Sequence, residues 1–406
     1  MHKDFVCVTT LCGQDGAIRS EYDVFKSSNR ELIKLRKWLL SMNIKVAGAE
    51  STGKYWFPLL NAFDDQVKLQ IFNARHIKNL PGKKTDKADS EWIAGVTRHA
   101  MLLSSFIPEK LILESRLLAR TRKSLVQRRT SVRQEIHGTL ECGSIKISGV
   151  ITDIFGYTGT NLLKLLVSGR SINETIVKKC LHHSMEKKLD RIMEALEGNL
   201  SDQHRFIIKL LMSELDKLTE QIELIEKKLY SLLINTPEHL ETMQKLVFIP
   251  GMAERSALLV LSEIGFDLSS FSKSDKFCNW VGVAPGKHES AGKNKSGRIQ
   301  IRQCYIRSLL TEIAFAATKC KGTFYQVKFL SLKRRMSTKK AVVAIAHKIA
   351  KSIYAIIHDG KEYNELGADY FFNRDQDHDY KLLARITNRL GKQAVLEQLN
   401  EIPDPA

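Results

Sequence analysis

Apolar and polar residues alternate from Phe5 to Leu11, the period-two pattern of a strand with one buried face. Gln14-Asp15-Gly16 supplies turn chemistry, and Ala17 to Phe25 reads as a return strand. The period then lengthens: over residues 30–42, Leu32, Leu35, Leu39 and Leu40 share one helical face. A short strand, Lys45 to Gly48, runs into Ala49-Glu50-Ser51-Thr52-Gly53. Tyr55 to Phe63 reads as helix, Val67 to Phe72 as strand, and residues 73–81 as a basic connector into a helix carrying Asp86 and Asp89.

From about residue 104 the pattern is helical. Between Arg116 and Arg133, Leu118, Leu125 and Val132 keep a seven-residue spacing, and Leu211, Leu215, Leu218, Ile222, Ile225, Leu229 and Leu232 give a second, longer register of coiled-coil type. Such a register can pair within one chain or between copies, and a homo-oligomer is its natural use. Residues 140–200 are mixed and resist placement. Beyond Asn235-Thr236-Pro237, apolar helices are expected over Ser256 to Ile264, Ile306 to Ala317 and Ala341 to Ile357, followed by a polar tail with one helical patch. The expected domains are 1–103, α/β of ribonuclease-H type; 104–240, a helical coiled-coil middle; 241–360, mostly α; and 361–406, the tail.

Charge adds a partner to this picture. A formal net charge of +18 over 406 residues favours a polyanion, most simply nucleic acid, with salt-dependent binding. Arg116, Arg120, Arg122, Lys123, Arg128, Arg129 and Arg133 fall in one stretch that holds no acid, so one face can track phosphates while the other packs. A charged coiled-coil surface is the plainer alternative. Seven scattered cysteines with no Cys-x-x-Cys pair indicate neither a disulfide framework nor a zinc module. With no apolar leader and no run of eighteen apolar residues, a soluble cytoplasmic protein without a membrane partner is expected.

Candidate chemistry gathers at the helix start Lys83-Lys84-Thr85-Asp86-Lys87-Ala88-Asp89. Two carboxylates three residues apart on a helix lie on one face and can share a divalent cation, and the lysines around them suit phosphate. Taken alone, the segment is more simply a solvated first turn with acids well placed for the helix dipole. Glu50, at the carboxyl end of a strand, lies where α/β sheets usually hold ligands. Phe248-Ile249-Pro250-Gly251 has the look of a helix-hairpin-helix turn, although a structural turn reads the same way. The segment 286–298 is rich in Gly, Ser and Lys: its glycines allow close backbone approach, its cations can hold an anion, and its serines offer hydroxyls.

Three blocks in order, Ala49-Glu50-Ser51-Thr52-Gly53-Lys54-Tyr55-Trp56, Lys84-Thr85-Asp86-Lys87-Ala88-Asp89, and Ala284-Pro285 with Glu289-Ser290-Ala291-Gly292-Lys293 and Ser296-Gly297-Arg298, resemble the DEDD transposases of insertion-sequence 110 and 1111 elements, relatives of the Piv DNA invertases. The resemblance covers roughly residues 1–360. It implies a RuvC-like N-terminal domain whose Glu50, Asp86 and Asp89 match three of four Mg²⁺-binding acids. It further implies a C-terminal transposase domain whose Ser290 is the nucleophile, with Ser296 as the next candidate. DNA is the implied partner, a structured guide RNA from the element is used by several members, and assembly into homo-oligomers is expected. Lys84, Arg122, Arg129, Lys293, Lys295 and Arg298 are the residues whose charge suits nucleic-acid contact. A metal-only junction-resolving nuclease and an inactive nucleic-acid-binding remnant are the alternatives.

One departure from the family pattern stands at the start. The family's first acid lies in a Gly-Ile-Asp-x-His-Lys pattern, whereas this chain begins Met1-His2-Lys3. At about 3.3 Å per residue, Asp4 would lie roughly 13 Å further along the strand, too far to share the cation; Asp15 falls in the turn. The expectation is a chain truncated at its start or a decayed copy with a three-acid site, binding metal more weakly for want of one charged ligand.

Overall fold

A computed structural model describes the chain apart from residues 1, 15–16, 52, 54, 74–84, 103, 287, 291–292, 297–298, 300–304 and 401–406; at 288–290, 293–296, 371–379 and 398–400 only the backbone is described. The chain divides into two units, residues 1–108 and 109–406.

In the first unit, β1 (Phe5–Cys12) pairs antiparallel with β2 (Arg19–Lys26), Phe5 facing Lys26 and Cys12 facing Arg19. Helix α1 (Asn29–Ser41) buries Leu32, Leu35 and Leu39, the face its 3–4 spacing predicted. Strand β3 (Val46–Glu50) crosses through α2 (Phe57–Phe63) to β4 (Lys68–Phe72), which lies parallel to it, Glu50 in register with Phe72. The crossover needs a sharp stop, and Asp64 ends α2 in the left-handed region at φ 48°. Among the described residues β1 bonds only to β2, and β3 only to β4. What joins the two ladders is packing: Val6 and Phe25 share one core with Leu32, Leu59, Phe63, Leu69 and Ile71. Helix α3 (Asp86–Arg98) lies against β1 and β3, with the Thr9 and Ser90 hydroxyls 2.6 Å apart. Gly48 makes that seat possible, because a Cβ there would run into Thr97 and Phe72.

The second unit is built on two long helices, α4 (Lys110–Cys142) and α8 (Asp202–Leu233). They run antiparallel, since Arg122 meets Glu226 near one end and Gly143 meets Leu200 near the other. Leu218, Ile222 and Leu229 of the α8 register are buried within this chain, so the pairing that periodicity left open is made to α4. Residues between them form three short helices, α5 (Tyr157–Val167), α6 (Glu174–Cys180) and α7 (Leu189–Ala195), whose Leu162, Leu163, Val177 and Ile192 fill one core with Val132, Ile136 and Leu140. A Ser201 and His204 capping box starts α8.

Next come α9 (Pro237–Val247), α10 (Glu254–Ile264) and α11 (Ser274–Trp280), then a hairpin of β5 (His288–Ser290) and β6 (Lys293–Ser296) where a loop was expected. Helices α12 (Tyr305–Ala317), α13 (Phe324–Lys333) and α14 (Thr338–Ile357) follow. Helix α14 is central: Ala341, Ile345, Ala346, Ile349, Ala350 and Ile353 are fully buried. The tail holds two helices instead of one patch, α15 (Tyr370–Leu390) and α16 (Lys392–Asn400).

Candidate functional sites: three carboxylates, a serine hairpin and an arginine cluster

The carboxylates of the first unit sit on two elements. Glu50 ends β3, half-buried, and the next amide, Ser51, donates to the Phe72 carbonyl at 2.9 Å, which holds the strand end in place. Asp86 and Asp89 occupy the exposed first turn of α3, where the unpaired amides and the helix dipole favour negative charge. Thr85 caps that turn, its hydroxyl accepting from the Ala88 amide at 3.3 Å. Asp86 also meets the His2 imidazole, Oδ1 to Nε2 at 3.1 Å. A hydrogen bond to Cys7, burial, and the negative charge of Asp86 nearby push the Tyr22 phenol up to about 12.

Among the described residues no three His, Cys, Asp or Glu side chains come together as a metal site, although Glu50, Asp86 and Asp89 are all described. Their hard oxygen donors are of the kind Mg²⁺ takes, but as arranged they do not form a ligand set. The charge pattern at the helix start therefore fixes the residue types and not their convergence. Lys84 lies outside the described residues.

In the second unit, the backbone places Ser290 at the last position of β5, in register with Lys293 at the start of β6, with two residues between them in sequence. Ser296 pairs with His288 at the other end of the ladder, past an irregularity between His288 and Glu289. The two candidate serines thus stand at opposite ends of one hairpin, and Ser290 is the one at its tip. Lys295 is on β6, and Arg298 lies outside the described residues.

The basic stretch is where structure corrects the sequence argument. It holds no acid of its own, yet acids reach it from other helices. Glu263 of α10 is buried and takes a two-pronged contact from Arg120, Nε to Oε1 at 2.9 Å and Nη2 to Oε2 at 3.0 Å. Arg116 donates to the Glu263 carbonyl and Ser115 to the Ser262 carbonyl, each at 2.9 Å, so α4 satisfies the last turn of α10. Arg122, expected at a phosphate, is largely buried and donates to Glu226 of α8 at 2.6 Å, where Arg255 approaches the same oxygen at 3.2 Å. Lys123 donates to the Ser308 hydroxyl at 2.9 Å. Arg129 and Arg133 are different: both are half-buried, and among the described residues neither has a carboxylate partner.

Sequence reading missed Glu226 and Glu263, and for Glu263 a signal was present. An acid inside the apolar run Ser256 to Ile264 needs a buried cation to accompany it. The Ile249-Pro250-Gly251 turn has the structural use: Gly251, at φ 84°, is pressed so closely on α12 that a Cβ would strike Ile313 and Ala317.

Two family matches fall on these elements in order. Residues 6–143 match the DEDD transposases of the IS110 group, and residues 243–327 match the Transposase IS116/IS110/IS902 family. The first match contains Glu50, Asp86, Asp89 and the arginine stretch, and the second contains the serine hairpin. A Sinorhizobium fredii protein that bears a transposase name, y4pF/y4sB, is 24% identical over 351 residues, covering 84% of this chain and 79% of its own length. A Pseudomonas aeruginosa protein named as a family 20 transposase is 24% identical over 311 residues, 75% of this chain and 80% of its own.

Proposed function

We propose, from the premise that this chain belongs to the IS116/IS110/IS902 family of transposases, that it cuts and rejoins DNA at the ends of an insertion sequence, with Ser290 as the nucleophile. The observation that carries the serine is the hairpin register: Ser290 stands at the tip, directly across from Lys293. A hydroxyl is a weak nucleophile unless its proton is taken and the phosphate under attack is neutralised. Here the Oγ–phosphorus bond forms as a phosphorus–oxygen bond of the DNA backbone breaks. The departing deoxyribose oxygen gains a proton, and the hydroxyl proton passes to solvent or a base. The phosphoserine ester keeps the bond energy, so a second DNA hydroxyl can attack it, release Ser290 and complete the exchange. Lys293, Lys295 and Arg298 supply positive charge around the phosphate.

Transposases of the DEDD type use a divalent metal, and Mg²⁺ is the ion that a gathered set of Glu50, Asp86 and Asp89 would take. In the described arrangement the set is not gathered, and the serine step stands apart from it. A guide RNA and a homo-oligomer belong to the same proposal; the strongly basic composition supports a nucleic-acid partner of either kind.

The test is the covalent intermediate. Wild-type protein incubated with end-sequence DNA should give a denaturant-stable protein–DNA adduct, and Ser290→Ala should lose the adduct while still shifting the DNA in a gel. An adduct that survives in Ser290→Ala and disappears in Ser296→Ala transfers the role to Ser296. A second reading, a nucleic-acid-binding protein without strand chemistry, rests on the strongly basic composition alone; DNA binding with neither adduct nor cut ends in the wild type would establish it.

A further inference from the structure

Two guanidiniums, Arg122 of α4 and Arg255 of α10, close on one carboxylate of α8, Glu226, where α4 lies against α8. Arg122 and Arg255 share one oxygen of Glu226, which leaves that acid committed to them. Arg129 and Arg133 follow Arg122 at seven and eleven positions, a spacing that keeps all three within one stripe of α4. Both are half-buried, and among the described residues neither meets an acid. The Arg133 guanidinium lies 4.9 Å over the Phe155 ring, and its Nε is buried with no hydrogen-bond partner. Burial, then the positive charges of Arg133 and Arg122, outweigh the pull of the Glu226 carboxylate and hold the Arg129 guanidinium below the ordinary arginine range. Half-buried like charges one helical turn apart repel, and a buried donor without an acceptor costs the fold stability. An anion from outside the chain relieves both at once.

We propose that Arg129 and Arg133, with Arg255 beside them, form a seat for a single backbone phosphodiester of the nucleic-acid partner. The planar fork of a guanidinium matches two phosphate oxygens, and its weak hydration suits a partly dry seat. Arg122 is then the support: with Arg255 it holds Glu226, which ties Arg255 of α10 to the α4 stripe. The kind of anion rests on the transposase reading above, whereas the seat itself rests on the arginines.

The experiment uses the full-length chain. Binding of a labelled DNA duplex and of a labelled structured RNA is followed by anisotropy over a salt series, for wild type, Arg129→Gln with Arg133→Gln, and Lys179→Gln as an exposed control outside the basic stretch. The double variant should bind several-fold more weakly, and its salt slope on the duplex should fall by about 0.9, the value for one lost phosphate contact. The control should keep the wild-type slope. Loss on the RNA alone, or on the DNA alone, supports the seat and names its source. Replacing chloride with inorganic phosphate at equal ionic strength should raise the melting temperature of the wild type and not of the double variant. Arg129→Lys with Arg133→Lys, which keeps the charge, should recover most of the slope and guards against a folding defect. If the glutamine pair melts higher than wild type and binds both probes with an unchanged slope, the cluster is only a strained packing feature and the proposal falls. The Ser290 adduct is read separately, so the seat can fail while the strand chemistry stands.

Discussion

Arg120 and Arg122 stand two residues apart on one helix and point to different acids, Glu263 and Glu226, on two other helices. No count of charges along α4 could have found either, because pairing is a matter of space and the segment supplies only half of each pair. Glu263 is the more consequential of the two acids. With its side chain 3% exposed, it receives Arg120 and lies 3.6 Å from the Arg116 Nε. Removing one partner of a buried pair leaves the other charge without compensation. Glu263→Gln should therefore lower unfolding stability by about 2 kcal/mol, below the roughly 3–5 kcal/mol of fully buried pairs because Arg120 is half in water. A urea titration measures this, and a shift of the midpoint with an unchanged slope is the expected result. The carboxylates show the opposite limit. That Glu50, Asp86 and Asp89 are acids is read directly from the sequence, while their spacing in three dimensions depends on how α3 is seated against β3.

That seat is an element-scale fact, and one missing side chain makes it. The first unit was largely readable: β1, β2, α1, β3, α2, β4 and α3 each fall within a few residues of where period and punctuation put them. What period does not encode is how close two elements come. Gly48 has no side chain where Thr97 and Phe72 approach, so Gly48→Ala should push α3 off β3 and cost about 1–3 kcal/mol, the usual range for overpacking. Thermal unfolding followed by circular dichroism should show a lower midpoint, and a melt unchanged from wild type would mean that α3 has room to slide. The 140–200 stretch failed to declare itself for a different reason. Helices α6 and α7 have seven residues each, fewer than two full turns, and the buried face of α5 includes Thr158 and Gly159, so apolarity alone does not trace it. The hairpin of β5 and β6 was missed because its Gly, Ser and Lys residues are poor strand formers; pairing with each other, not propensity, makes them strands.

At the scale of the whole chain, the family match over residues 6–143 ends just past α4, whereas the structural boundary falls between Pro108 and Glu109, before that helix begins. The helix is thus counted with the acids by its sequence and with the arginine partners by its packing. Anyone choosing where to end an expressed N-terminal fragment faces a practical fork. A piece stopping at residue 108 takes its whole core with it, from Val6 to Ile71. One stopping at residue 143 also carries Ile112, Ala119, Val132, Ile136 and Leu140, all buried in the intact chain by partners the fragment lacks. On size exclusion the shorter piece should elute as a monomer with a cooperative melt, and the longer one should self-associate through its bare stripe. Equal behaviour of the two would mean that the helix can stand alone in water.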